Sequence, residues 1–283
     1  MYDAARLLRG GTVLLAALTA AACGEAAAED WRTLNSSRQA GGEELLAVEV
    51  EYGAGTLNLG SSEPGILYSA RVHYDAATFT PVVDYTDGRL RLGVEGGTVR
   101  GRNVRAGELD LRLTPEVPVD LSVRFGAAEA NLDLGGLHVD RLEIQTGASR
   151  TVLDVSAPNP QRCRSATIQV GAARFEARRL GNLNAERLSV QGGVGEVTLD
   201  FTGEWAAGMS ASVEMGLGAL TLRVPRGLAL RINREGRLAS FDSEGLVKRG
   251  DSYYSENWSA EDTHLTVDIK AALGSIRVVW LDT

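Results

Sequence analysis

Asp133 and Asp154 stand 21 residues apart, and Arg178 follows 24 residues further on at the same place in a repeated pattern. Carboxylates converging beside a basic residue are what a calcium-dependent polysaccharide lyase uses, so these three could imitate that chemistry. A calcium ion takes about six to eight oxygen ligands, however, and two carboxylates fall well short. The three histidines, His73, His138 and His264, sit at no metal-ligand spacing, and there is no G-x-S-x-G elbow, phosphate-binding loop or H-E-x-x-H. The residues predict no catalytic set, no metal and no cofactor. What remains is binding chemistry, carried by amides at Gln145, Gln169 and Gln191 and by an aromatic cluster at Tyr253, Tyr254 and Trp258.

Those residues are placed by a seven-copy pattern. Its anchors are Gly53, Gly126, Gly147, Gly171, Gly193 and Gly216, with Ala272 in the same role, and the four intervals from Gly126 to Gly216 are 21, 24, 22 and 23 residues. Three positions before the anchor stand Val50, Val123, Ile144, Ile168, Val190, Val213 and Ile269; two after it, only Gly, Ala or Ser; six after it, Leu59, Leu132, Leu153, Ala177, Leu199, Leu222 and Val278. A period of this length with alternating apolar residues predicts an all-β, single-stranded β-solenoid with coils of about 22 residues, its core-facing columns given by those positions. The small pair marks a corner where neighbouring backbones approach closely. Outward, two before the anchor, come Glu51, Arg124, Gln145, Gln169, Gln191, Glu214 and Lys270; stacking would set the three glutamines in one amide ladder.

Two long intervals break the period. Between Gly53 and Gly126, alternating segments and an Asp87-Gly88 turn predict a β-meander. Between Gly216 and Ala272 the insertion carries the aromatic cluster, read as a hairpin that caps the stack or, alternatively, as a glycan platform. The domain reading is a signal peptide at 1–22, a tether at 23–30, an N-terminal β-module at 31–115 and a β-solenoid with a C-terminal capping hairpin at 116–283.

The N-terminus carries Arg6 and Arg9, then an apolar run of 11 residues from Thr12 to Ala22, then Cys23. This is an export signal too short to span a bilayer. The small residues ending on a cysteine resemble the bacterial lipoprotein lipobox, which implies lipid attachment at Cys23; ordinary secretion with an incidental cysteine is the alternative. Gly24, by the same resemblance, implies the outer membrane in a cell that has one. Loss of residues 1–22 leaves 27 basic against 36 acidic side chains, which argues against nucleic acid as a partner. Cys163 then has no partner for an intrachain disulfide and reads as a small buried residue.

The repeated [VI]-x-x-G-x-[GAS]-x-x-x-L, with Gly250-Asp251-Ser-Tyr253-Tyr254-Ser-Glu-Asn257-Trp258 and the closing Gly274-Ser-Ile276-Arg-Val278, resembles the toast-rack family of bacterial envelope proteins. The resemblance implies a single-stranded β-solenoid with no established enzymatic activity, in a group that includes adhesin-like proteins and the outer domains of cell-wall-antibiotic-response proteins. The function expected is a membrane-anchored, non-catalytic interaction or adhesion module whose partner is an envelope protein or a glycan. An envelope-stress accessory that binds a membrane signalling partner and a polysaccharide lyase-like enzyme are the alternatives.

Overall fold

The chain is nearly all strand, as its alternating apolar residues require. The computed structural model describes residues 29–96, 107–236, 239–258 and 263–282. In chain order the strands are β1 (Trp31–Gln39), β2 (Leu46–Ser61), β3 (Ile66–Asp75), β4 (Thr80–Thr86), β5 (Arg89–Glu95), β6 (Gly107–Leu113), β7 (Pro118–Asp133), β8 (His138–Thr146), β9 (Arg150–Asp154), β10 (Ser165–Arg178), β11 (Arg187–Asp200), β12 (Met209–Pro225), β13 (Ala229–Glu235), β14 (Ala239–Asp242), β15 (Val247–Arg249), β16 (Ser252–Tyr254) and β17 (His264–Leu281). They join in one mixed sheet, and among the described residues there is no α-helix.

The column inferred three positions before the anchor is a column in space. Val50 pairs with Val123, Val123 with Ile144, Ile144 with Ile168, Ile168 with Val190, Val190 with Val213 and Val213 with Ile269, all in parallel register. Leu59, Leu132, Leu153, Ala177, Leu199, Leu222 and Val278 form a second such column, and both columns are buried. Each rung bends at its anchor. In β2 the alternation is interrupted by two consecutive exposed residues, Gly53 and Ala54, so Tyr52 and Gly55 on either side both face inward. The same two-residue step in β7 and β17 wraps each strand around the core.

The long intervals do not interrupt the stack. β2 lies directly on β7, and β12 directly on β17, because each insertion leaves from one rung, builds outward, and returns. Here the pairing departs from the expected N-terminal meander: β5 and β6 run parallel to β2, forming a further rung on its outer edge. Antiparallel strands then finish that end, with β4 on β5 through the left-handed Asp87 and Gly88, β3 on β6, and β1 on β3. At the other end β13 and β14 add a parallel rung outside β17, and β16 and β15 follow in antiparallel order. The aromatic insertion is thus a rung plus a hairpin. Pro81 on β4 and the three-residue, lysine- and arginine-bearing β15 are features that discourage edge-to-edge growth.

Candidate functional site

The corner makes a long concave surface. At the anchors the backbones come so close that a Cβ on Gly126 would lie 2.6 Å from the Gly53 carbonyl oxygen; on Gly147, 2.8 Å from that of Gly126; on Gly193, 2.8 Å from that of Gly171. Without side chains there, the anchors form the floor of a groove of about 1230 Å³ running from Tyr52 to Lys270 across the rungs. One wall is the outward column of Glu51, Arg124, Gln145, Gln169, Gln191, Glu214 and Lys270, paired residue to residue. Beyond the floor, the residues following the anchors form a ridge that ends in Val194, Leu217 and Leu273, which are 53%, 46% and 50% exposed. The sequence reading misses this ridge because apolar residues at strand spacing are taken as core, and here the bend at the anchor turns them outward.

Charge is arranged symmetrically along the wall. Arg124 contacts Glu49 at 2.9 Å and Glu51 and Glu143 at 3.7 Å; Lys270 contacts Glu214 at 3.7 Å and Glu235 at 3.9 Å. Between these ion-paired ends lie the three glutamines. The expected amide ladder does not form: Gln145 donates from Nε2 to Glu143 at 2.8 Å, since a charged acceptor on its own strand outcompetes a neutral amide one rung away. Among the described residues, no hydrogen bond joins Gln169 or Gln191 to another side chain, so both amides are available in the middle of the groove.

The ladder sets Asp133 opposite Asp154 and Asp154 opposite Arg178, as the column of outward charges requires, but their side-chain hydrogen bonds go to other partners. Asp133 accepts from the backbone of Gly135 and from Ser156, while Asp154 accepts from Arg179 at 2.6 Å. Arg178 and Arg223 instead clasp Glu176, at 2.9 and 3.1 Å, and the Arg178 hydrogen bond holds that carboxyl below the usual range against the opposing effect of burial. No group of three or more His, Cys, Asp or Glu side chains suited to a metal occurs among the described residues. His73 stacks on Trp31 and bonds Thr33, and His264 meets Trp258, far apart along the chain. Cys163 is buried, and burial pushes its thiol up to about 12.

A carboxyl pair escaped the sequence reading. A bulge between Val119 and Asp120 leaves Asp140 outside the ladder and beside Asp120. Burial raises the Asp120 carboxyl, whereas the Arg164 guanidinium lowers that of Asp140. Bulges carry no apolar signature, so no pattern announces them.

The aromatic cluster divides between two faces. Tyr253 pairs with Ile232 and packs edge-on to Phe241 at 4.8 Å against the core. Tyr254 pairs with Arg231 and meets Trp258 at 5.5 Å on the outward side. Ser255 exchanges hydrogen bonds with Leu230, which fixes the return of the chain.

The family model described as "N-terminal domain of toast_rack, DUF2154" matches residues 27–178 and 165–223. The chain belongs to the toast-rack family. Among solved structures, one from Clostridium sporogenes ATCC 15579, titled a putative cell adhesion protein, is 18% identical, covers 89% of this chain and 100% of that chain, and has a TM-score of 0.46. One from Bacteroides fragilis NCTC 9343, titled a putative adhesin, is 13% identical, covers 88% and 97%, and has a TM-score of 0.39. One from Parabacteroides distasonis ATCC 8503, titled a putative lipid binding protein, is 12% identical, covers 87% and 96%, and has a TM-score of 0.29. No curated protein matches.

Proposed function

We propose that the protein is an exported, lipid-anchored, non-catalytic interaction module of the bacterial envelope, and that the corner groove is its contact surface. In this reading residues 1–22 are removed, Cys23 carries the lipid, residues 23–30 are the tether, and the protein resides in the outer membrane where the cell has one. The N-terminal module of 31–115 and the β-solenoid of 116–283, with coils of about 22 residues, present the groove to an extended segment of an envelope protein or glycan. Cys23 and the signal lie outside the described residues; no helix of the described residues is long and apolar enough to cross a membrane. One observation carries the functional reading: a glycine-floored groove spanning the rungs, with Gln169 and Gln191 unengaged at its middle.

Two measurements test it. Cells fed a palmitate analogue should label the wild-type protein and not Cys23→Ala; equal labelling would remove the anchor from the reading. A photo-crosslinking residue placed at Gln169 should trap an envelope component, while the same residue at Ser210, exposed on another part of the stack, should not. Equal trapping from both positions, or none from Gln169, would show that the groove is not the contact surface.

A further inference from the structure

The apolar ridge beside the corner groove runs the length of the seven anchored rungs. The residue after each anchor is exposed and apolar: Ala54, Ala127, Ala148 and Ala172, then Val194, Leu217 and Leu273. Ala54 pairs with Ala127, Ala172 with Val194, Val194 with Leu217 and Leu217 with Leu273. Backbone hydrogen bonds from Ala172 to Gly147 and from Arg174 to Ser149 set Ala148 in the same row. Side-chain size therefore rises from the N-terminal end of the row to the other. A contiguous exposed apolar row with a polar rim marks a contact surface.

Two orders run along this corner, and each is complementary to its own reverse. A second copy, turned end for end about a twofold axis at Ala172, would set its Leu273 on Ala54, its Leu217 on Ala127 and its Val194 on Ala148. Large then meets small on either side of the axis, where Ala172 meets its counterpart. The same rotation lays wall on wall: Glu51 meets Lys270 of the copy, Arg124 meets its Glu214, Gln145 meets its Gln191 and Gln169 meets Gln169. Rungs in both copies are spaced by about 4.8 Å, so a register that fits at the centre fits at both ends. Each end becomes a quartet of two acids and two bases. The ion pairs within one chain leave room for it, because Arg124 to Glu51 and Lys270 to Glu214 are both 3.7 Å and all four side chains are 40–56% exposed. The central amides suit self-pairing: Gln169 offers donor and acceptor, and Gln145, bound through Nε2 to Glu143, keeps its oxygen to accept from Gln191 of the copy. Beyond the ridge, Arg150 meets Glu196, and Arg174, which faces itself, already pairs with Glu196 at 2.9 Å. One row farther out along the wall, Glu49 comes opposite Asp268, and each has its own partner, Arg124 at 2.9 Å and Asn233 at 2.6 Å.

We propose that the corner binds a second copy of this chain, antiparallel, through the ridge and the wall. This names the partner of the corner groove and so rests on the reading of that groove as a contact surface. Seven rungs at about 4.8 Å and a strip of about five residues at about 3.3 Å each cover roughly 500 Å² per copy, about 1000 Å² in all, the range of weak, reversible pairs. A neutral glycan would answer neither the gradient of side-chain size nor the order of charges.

The test is disulfide trapping of the full-length protein in the cells that make it, with copper phenanthroline as oxidant. Ala172→Cys and, independently, Gln169→Cys should each give a disulfide-linked homodimer that the wild type does not, because both lie at the twofold axis. Leu273→Cys alone should not link, whereas Leu273→Cys and Ala54→Cys on separately tagged chains made together should. Leu217→Lys, at an exposed position, should cut the Ala172→Cys dimer by about tenfold at unchanged melting temperature. The proposal is overturned if neither axial cysteine links, if Leu273→Cys links to itself as readily as Ala172→Cys, or if Leu217→Lys has no effect. When neither axial cysteine links but a photo-crosslinking residue at Gln169 traps a different envelope component, the proposal falls and the groove reading stands; when Gln169 also traps nothing, both fall.

Discussion

Gly195→Ala is the sharpest probe of the stack. Gly195 sits two residues past its anchor with φ of 135°, and a Cβ there would lie 2.0 Å from the carbonyl oxygen of Ala173 and 3.2 Å from its nitrogen. Both contacts are backbone of the adjacent rung, so no side chain can swing aside. Holding alanine at that dihedral costs about 1–3 kcal/mol. Moving the rungs apart strains the ladder where Ala172 meets Val194 and Arg174 meets Glu196, and each hydrogen bond lost adds about 0.5–1.5 kcal/mol. With two lost, the total is about 2–6 kcal/mol, and branched valine should cost more. Gly53→Ala is the control, because a Cβ there meets nothing within 4 Å and the backbone is not left-handed. Urea unfolding followed by far-ultraviolet circular dichroism should show Gly53→Ala within about 0.5 kcal/mol of wild type and Gly195→Ala clearly less stable. Equal stability of the two variants would refute the close approach of rungs at the corner.

Glu176→Gln should lower stability at neutral pH and converge with wild type in acid, because a carboxyl held low by Arg178 contributes stability above the ordinary carboxylate pKa that is lost as pH falls through the lowered value; unfolding curves from pH 7 to pH 2.5 measure the difference. Cys163 should resist a thiol reagent such as dithionitrobenzoate in the native protein and react on unfolding in urea; rapid native reaction would contradict its burial. Tyr253→Ala should destabilise by about 1–3 kcal/mol, since its half-buried ring packs on Phe241 and the core, whereas Trp258→Ala should cost less; the reverse order in thermal melts would mean the outward ring is the cap.

The inward columns were legible in the sequence because burial imposes a period, and Val50, Val123 and Ile144 keep that phase across intervals of different length. The corner was legible because backbone proximity excludes side chains, leaving glycine at Gly126, Gly147 and Gly193. What the outer surface does was much less legible. Gln145 turned to Glu143 because competition among polar groups depends on distances no pattern records. Arg178 stacks on Asp154, as the column of outward charges shows, but its hydrogen bond goes to Glu176 on its own strand for the same reason. The rung formed by β5 and β6 could not be read because parallel pairing between distant segments leaves no local mark, and the alternation of β5 suits a meander equally well. Arg231 and Arg249 are 18 residues apart, on strands that flank β16, and only the register makes them neighbours of Tyr254.

The position of β17 has a consequence for biogenesis. β13, β14, β15 and β16 are all made before it, yet β13 and β14 have their parallel partner in β17, which in turn rests on β12. A chain made from its N-terminus therefore cannot seat these strands until residues 264–281 have been added. The apolar side chains of Leu230 and Ile232 must wait without their final neighbours. Truncation before residue 264 would remove an interior rung rather than trim an edge, leaving the aromatic insertion with no foundation and β12 with a bare ladder open to strand exchange between molecules.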